Sequence, residues 1–312
     1  TAGKRSIGRL RWRWVASLLI PLLVGGGVGL FVWWQPASIP LSEEIGIVKP
    51  KAVVTLANGE KINLGEEVAP IAEKDGTRIQ YHDGQLVYSS QSQTAKPQVL
   101  YNELTVPRGG EYSLVLGDGT RVWLNAGSKL KYPVRFNGSQ RRVFLSGEAY
   151  FEVAKDPECP FFVEMEGVEV RVYGTSFNVN THQKGCIQTV LVKGSIGVKV
   201  LASGTESVIK PGQMAEFKQG NTKVDVKEVN VAVYTDWKDG IFRFENQRLE
   251  DILTVLSNWY DVDVFYQTPS VKELHFSGYM ERYKDVRVIL EAITLSTGVT
   301  FSIQGKTIIV SK

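Results

Sequence analysis

Residues 112–124 read YSLVLGDGTRVWL, and this stretch decides the fold. Tyr112, Leu114 and Leu116 alternate before the turn pair Asp118-Gly119, and Val122 and Leu124 alternate after it. A period of two on both sides of an Asp-Gly pair specifies a hairpin whose strands each bury one face. The same design stands earlier in the chain as VTLANGEKINL (54–64). Both copies fit T/V-L-x-N/D-G-x-K/R-I/V-x-L, which reads as an internal duplication of one hairpin. Two copies are too few to make a solenoid.

Working outward, Asp75-Gly76, Asp83-Gly84 and Asn137-Gly138 mark further turns between β-branched or aromatic runs. Strands continue through 141–153, 161–180, 186–200, 207–217 and 223–229, with little helical pattern between them. The expected fold is a mainly-β domain over 101–235, an antiparallel sandwich or β-roll. Residues 35–100 are expected to hold an extended spacer, marked by Pro36, Pro40 and Pro50, and the first hairpins.

Near Asp236 the period changes. IFRFEN (241–246) reads as a strand. In RLEDILTVLSNWYDV (248–262), Leu249, Ile252, Leu253, Leu256 and Trp259 share one helical face. Strands at 262–267 and 274–280 follow, then a second amphipathic helix over 285–299 closed by Gly298, and a hairpin at 300–310 turning at Gly305-Lys306. Residues 236–312 are therefore a small α+β module of order βαβ–βαββ, whose open sheet edges suit a partner strand.

Residues Trp14 to Trp34, WVASLLIPLLVGGGVGLFVWW, hold no charge over twenty-one positions. At ~1.5 Å per residue such a helix is roughly 30 Å long, the thickness of a bilayer's hydrocarbon core. Lys4, Arg5, Arg9, Arg11 and Arg13 precede it, and the first charges after it are Glu43 and Glu44. Tryptophans flank both ends. The positive-inside rule makes 1–13 a cytoplasmic stub, 14–34 a single transmembrane pass and the remainder extracytoplasmic. A cleaved secretory signal is the competing reading, but the apolar run is long for one and no A-x-A site follows it. The first residue is Thr1 rather than Met, so a cytoplasmic part is expected before it.

The formal charge of +3 misleads, because five basic residues belong to the stub and the remainder is slightly acidic. Without a Lys/Arg run there is no electrostatic footprint for nucleic acid. Cys159 and Cys186 would sit in an oxidising compartment, where a disulfide and two buried thiols are both open readings. His82, His182 and His275 lack ligand spacing, so no metal and no cofactor is expected. Glu148 and Glu152 share a strand face at i and i+4, some 13 Å apart at ~3.3 Å per residue, too far for one acid/base pair. They read as solvated strand carboxylates. Gly117-Asp118-Gly119 is a turn with no helix behind it, hence no phosphate loop. No catalytic constellation emerges.

Val106-Pro107-Arg108-Gly109-Gly110-Glu111-Tyr112 is followed by Leu116-Gly117-Asp118-Gly119-Thr120-Arg121-Val122-Trp123-Leu124-Asn125-Ala126-Gly127-Ser128, and in these runs the chain resembles the FecR-like anti-sigma regulators of Gram-negative bacteria, in the form common in Bacteroidetes. Gly147 to Val153, Phe161-Phe162-Val163, Val172 to Val179, Val192 to Ser195 and Pro211-Gly212-Gln213 continue the resemblance in order. Phe242-x-Phe244-x-Asn246 with Leu249 to Leu253 is similar to the short signalling domains of secretins and TonB-dependent receptors. The resemblance implies an inner-membrane bridge with its N-terminus in the cytoplasm and its C-terminus in the periplasm. It would receive a signal from the periplasmic signalling domain of a TonB-dependent outer-membrane receptor. Through its cytoplasmic part it would control an extracytoplasmic-function sigma factor.

The module at 236–312 is the candidate partner-binding part, with Phe242, Phe244, Asn246, Leu249, Trp259 and Tyr279 as its named residues. Some FecR-like proteins cleave themselves at a Gly-Thr bond, which the resemblance places at Gly174-Thr175. The plain reading of that pair is a strand bend relieved by glycine. Gly25 and Gly29, within Gly25-Gly26-Gly27-Val28-Gly29, either soften the span for intramembrane proteolysis or form a G-x-x-x-G packing pair. Two other classes remain as alternatives: a membrane-anchored periplasmic β module binding a glycan, or an envelope-assembly component without sigma-factor control.

Overall fold

The computed structural model describes residues 49–64, 70–72, 77–82, 85–90 and 99–312. They belong to one compact unit, Ile45–Lys312. The stretch 14–34, with Trp14, Gly25, Gly29 and Trp34, and the pairs Asp75-Gly76 and Asp83-Gly84 lie outside the described residues. Among the described residues no helix is long and apolar enough to cross a membrane.

Twenty strands make the β body among the described residues. It opens with β1 (Lys49–Pro50), β2 (Val53–Thr55), β3 (Lys61–Asn63), β4 (Ile71–Ala72), β5 (Thr77–His82) and β6 (Gln85–Ser90). Next come β7 (Tyr101–Thr105), β8 (Gly110–Val115), β9 (Arg121–Leu124), β10 (Lys129–Pro133), β11 (Arg141–Ser146) and β12 (Glu148–Glu152). β13 (Phe161–Met165), β14 (Val168–Val172), β15 (Ser176–Asn180) and β16 (Cys186–Lys193) follow. β17 (Ile196–Val200), β18 (Glu206–Ile209), β19 (Gln213–Lys218) and β20 (Asp225–Glu228) close it.

The hairpin at 112–124 forms as its alternation requires: β8 and β9 pair antiparallel, with Tyr112 opposite Leu124 and Leu114 opposite Val122. The Leu116 N–H donates to the Thr120 carbonyl and the Gly119 N–H to the Leu116 carbonyl, both at 2.9 Å. Gly119 takes φ +84°, the left-handed position that ends a three-residue hairpin loop. The earlier copy closes in the same way. There Leu56 donates to Glu60 and Gly59 to Leu56, both at 2.8 Å, with Gly59 at φ +87°. The duplicated hairpins lie in different sheets. β2–β3 belongs to a nine-stranded sheet, in order β18-β17-β14-β13-β11-β10-β7-β2-β3. β8–β9 belongs to an eleven-stranded sheet, β20-β19-β16-β15-β12-β9-β8-β6-β5-β4, with β1 beside β8.

The chain thus builds two sheets at once, placing most strands as hairpins in one and then the other, a β-roll flattened into a sandwich. The strands before residue 101 already belong to these sheets, so the body begins by Lys49 and not at 101. It is also not purely antiparallel: β1 and β6 run parallel to β8, and β11 runs parallel to β13. The last pair has a simple cause. A single strand, β12, goes to the other sheet between them, and the chain returns pointing the same way. The inner faces meet in one core that includes Leu104, Leu130, Val143 and Val170 from one sheet and Leu114, Val122, Phe177 and Leu191 from the other. Phe151 spans the gap, 5.1 Å from Phe177 and 6.3 Å from Phe161 between ring centroids. Fully burying one such side chain contributes about 1.5–3 kcal/mol.

After β20 a short helix (Ala232–Thr235) and a 3-10 turn (Asp236–Asp239) lead into the C-terminal module. Its elements fall in the expected order: β21 (Ile241–Arg248), a helix (Leu249–Tyr260), β22 (Asp263–Tyr266), β23 (His275–Glu281), a helix (Val286–Thr297), β24 (Thr300–Gln304) and β25 (Thr307–Ser311). They form two small sheets, β21-β23 and β22-β25-β24, rather than one. Both helices press their apolar faces onto a second core containing Leu253, Leu256, Ile289, Ile293, Ile308 and Val310.

Candidate functional site

Three connections between the sheets lie together on one flank of the body, at residues 106–109, 125–128 and 147. Val106 donates to the Ser128 carbonyl at 2.8 Å and Gly127 to the Pro107 carbonyl at 3.3 Å. The Ser128 hydroxyl donates to the Glu148 carbonyl at 3.0 Å and accepts from the Glu148 N–H at 2.8 Å. Gly147 must be glycine here: at φ +102° a Cβ would stand 2.5 Å from the Ser128 Oγ. This flank is where the C-terminal module docks.

Each part reaches into the other with one arginine. From the body, Arg108 extends over the C-terminal end of the helix Leu249–Tyr260. It donates to the Ser257 carbonyl at 3.2 Å, the Ser257 hydroxyl at 3.0 Å, the Val262 carbonyl and Asp263 Oδ1 at 3.0 Å. A cation there also meets the negative end of the helix dipole. Beside it the Gly109 N–H donates to the Asn258 carbonyl at 2.8 Å.

From the module, Arg282 enters a site where its side chain is fully buried. Its guanidinium carbon lies 3.4 Å from the centroid of Trp259, with Phe242 and Trp237 at 5.1 and 5.5 Å. Nη1 donates to the Trp237 carbonyl and Nη2 to Asn125 Oδ1 at 2.7 Å. Burial pushes this guanidinium down to about 10, against the opposing pull of Glu111 and Glu148. Glu111 Oε2 is 3.9 Å from Nη1, and Glu111 Oε1 accepts from the Tyr283 hydroxyl at 2.8 Å. Burial, reinforced by that carboxylate, raises the Tyr283 hydroxyl to about 12.

Glu148 is the body's share of this network, and the reading of it as a solvated strand carboxylate is corrected: it is buried. Oε2 accepts from Asn125 Nδ2 at 2.7 Å and Oε1 from Asn178 Nδ2 at 3.0 Å. Asn178 Oδ1 in turn accepts from Trp237 Nε1 at 3.1 Å. His182 sits alongside, half-buried, its imidazole held below the ordinary value by burial despite Glu148 and the Ala126 backbone. Glu152 meets the solvated expectation better, partly exposed and paired with Arg121.

The residues named from sequence divide sharply. Phe242, Phe244, Leu249 and Trp259 are buried in the module core, with Phe242 stacked on Phe244 and edge-on to Trp259 at 6.1 Å. They build the module and present nothing to a partner. Asn246 sits in a bulge of β21 at φ +47°, its N–H donating to Ser277 Oγ at 2.7 Å. Tyr279 is 72% exposed on the outer face of the β21-β23 sheet, opposite Arg243, whose guanidinium lies 5.7 Å from its ring. That small cationic and aromatic face is one surface the module exposes; Phe265 of β22 is exposed as well. Arg108, Glu111 and Asn125 were visible only as parts of motifs, Glu148 stood out only as a strand carboxylate, and Arg282 carried no sequence signal.

Gly174 and Thr175 connect β14 to β15. Gly174 has φ +140°, and a Cβ there would fall 2.7 Å from the Lys155 Cα, which accounts for glycine without chemistry. Thr175 is buried and its hydroxyl donates to the Ser195 carbonyl at 3.2 Å. Cys159 and Cys186 are both free thiols; burial, with Glu216 nearby, pushes the Cys186 thiol up. Further along the docking flank a groove of about 930 Å³ opens, lined by residues including Leu145, His182, Cys186, Ser203, Phe217 and Thr222. Among the described residues no group of His, Cys, Asp and Glu could hold a metal ion.

Two family models match the chain: FecR protein over residues 102–197 and FecR, C-terminal over 241–310, together just over half of it. No curated protein matches. Two crystal structures of a Parabacteroides distasonis protein assigned as an anti-sigma factor are similar, each at 26% identity and a TM-score of 0.62. The structure at 1.65 Å covers 67% of this chain and 98% of its own, and that at 2.50 Å covers 68% and 99%.

Proposed function

The chain belongs to the FecR family of sigma-factor regulators, and from that premise we propose that it is a single-pass inner-membrane anti-sigma factor. In this reading its periplasmic part receives a signal from a TonB-dependent outer-membrane receptor. Its cytoplasmic part, on the N-terminal side of the span, controls an extracytoplasmic-function sigma factor. The uncharged stretch 14–34 and its basic N-terminal flank support the topology. The observation that carries the receptor reading is the outer face of the β21-β23 sheet, where Tyr279 stands exposed beside Arg243 while Phe242, Phe244 and Trp259 are buried. An exposed tyrosine with an arginine beside it is the composition of an interface anchor.

The chain acts in this reading by binding, without turnover of a substrate, and Gly174-Thr175 serves as a bend. The test is binding between the chain and the periplasmic signalling domain of the receptor encoded beside its gene. Tyr279→Ala is expected to weaken that binding at least tenfold. Unchanged affinity would remove this face from the interface, and no binding by the wild-type chain would remove the receptor. A glycan-binding module is the second reading. It draws on the groove near Thr181–Cys186, and a glycan array on the same preparation distinguishes it.

A further inference from the structure

Signalling through a two-part extramembrane unit needs the parts to move together or to separate on cue, and the contacts here address that choice. The segment 229–240 that joins body to module is short and runs back across the outer face of the eleven-stranded sheet. There Trp237 bonds Asn178, and the Lys238 ammonium lies 5.1 Å from the Tyr150 ring centroid. Tethering alone would let the module swing about this segment.

Arg108 and Arg282 prevent that from two sides. Arg108 is held at four acceptors of the module, two of them backbone carbonyls that cannot rotate away. Arg282 fixes three parts at once: the body through Asn125, the linker through the Trp237 carbonyl, and the module through the Trp259 ring. Its planar fork can satisfy the two acceptors while lying flat on the indole, a combination that lysine cannot reproduce. Its backbone follows directly on β23, the strand that displays Tyr279, and the Arg282 N–H donates to the Gly240 carbonyl at 2.9 Å at the start of β21. The exposed sheet and the buried lock are therefore one mechanical element.

We propose that Arg108 and Arg282 form a reciprocal two-point lock that makes module and body move as one. A partner engaging the Tyr279 face would then reorient the whole extramembrane unit instead of swinging the module on its linker. The lock stands on the contacts alone; its signalling consequence rests on the receptor reading above.

Hydrogen exchange followed by mass spectrometry on the full chain separates undocking from unfolding, because the Gly109 amide bonds across the boundary to Asn258. In Arg282→Gln, exchange at the Gly109 amide, read in a peptide spanning 104–112, is expected to rise at least tenfold, while peptides 250–256 and 307–311 of the module core stay protected. Unchanged exchange at Gly109 would overturn the lock. Equal loss across the module core would also overturn it, by making Arg282 a core residue of the module. Should Arg282→Gln fail to fold, Asn125→Ala removes the body's acceptor and leaves the Arg282–Trp259 stack in place. It is expected to raise exchange at Gly109 several-fold, and no rise there overturns the proposal by itself. In cells, Asn125→Ala is expected to bind the receptor's signalling domain within twofold of wild type yet lose at least tenfold of the sigma-dependent reporter response. A full response with raised exchange would retain the lock and reject its role in signalling. Failure of the wild-type chain to bind would reject the receptor reading and leave the exchange result standing.

Discussion

Replacing Glu148 with glutamine tests the interior network with a change of one atom. The carboxylate takes one N–H from each of Asn125 and Asn178. A glutamine can accept one of these and must point its own NH2 at the other. Neither asparagine can turn over to relieve the clash. Asn125 Oδ1 already accepts from the Ala126 N–H and from Arg282, and Asn178 Oδ1 accepts from Trp237. The loss is one charge-assisted hydrogen bond, with a buried donor left unmet, about 1.5–3 kcal/mol. Removing a negative charge that acts on the buried Arg282 adds to it, for a total of about 3 kcal/mol. In a unit of this size that lowers the melting temperature by about 6–12 °C. Glu152→Gln is the control on the same strand: its partner Arg121 is mostly exposed, so the cost is about 0.5 kcal/mol. Thermal melts of the two variants beside wild type decide the matter. Equal, small shifts for both would refute the reasoning, because Glu148 would then be as replaceable as a surface carboxylate.

Four other substitutions probe separate parts of the molecule. Gly174→Ala forces a Cβ against the Lys155 backbone at φ +140° and should cost about 1–3 kcal/mol in a urea melt; mass spectrometry of wild type should show only intact chain, and a product beginning at Thr175 would make this bond a cleavage site. Trp259→Ala should destabilise by about 3–5 kcal/mol, as removal of a buried aromatic does, whereas Tyr279→Ala should stay within about 0.5 kcal/mol of wild type. Asp285 caps the helix Val286–Thr297 by accepting from the Arg287 N–H at 2.8 Å, so Asp285→Ala should cost about 1 kcal/mol at pH 7. Hydrogen bonding to Arg287 holds that carboxyl below its ordinary value, so the stability it supplies is present above the ordinary carboxylate range and is lost as the pH falls through the lowered value. The gap between wild type and variant in thermal melts should therefore narrow between pH 7 and pH 3; a gap that holds at pH 3 would contradict the cap.

What the sequence revealed was local. Both copies of the Asn/Asp-Gly hairpin, the order of the module's elements and the Gly298 helix stop follow from residues within a few positions of each other, and each stands where its pattern put it. What stayed hidden depended on residues far away along the chain. Glu148 and Tyr150 lie on the outer face of their sheet, where alternation predicts solvent. They are buried because the linker and module, some ninety residues on, cover that face. Arg282 sits among charges in MERYKD and reads as a turn residue, since its acceptor on Asn125 is 157 positions away. The aromatic residues of the module were conspicuous for the reason that made them poor contact candidates: Phe242, Phe244 and Trp259 are the core.

The solitary strand β12 has a consequence for the parity of everything that follows it. Between β7 and β12 the chain passes between sheets on the docking flank, at 106–109, 125–128 and 147. One odd strand inverts the count, and the next four passages, at 153–160, 173–175, 194–195 and 210–212, fall on the opposite flank. The docking side then shows only hairpin turns, those around Gly167, Gly185, Gly204 and Gly220, and between them the two sheets gape into the groove. The same flank is thus a closed seat for the module at one end and an open trough at the other. Such a roll can lengthen by pairs of strands without disturbing its seat. Lengthening by a single strand ahead of β12 would turn the trough into a seam and open the seat.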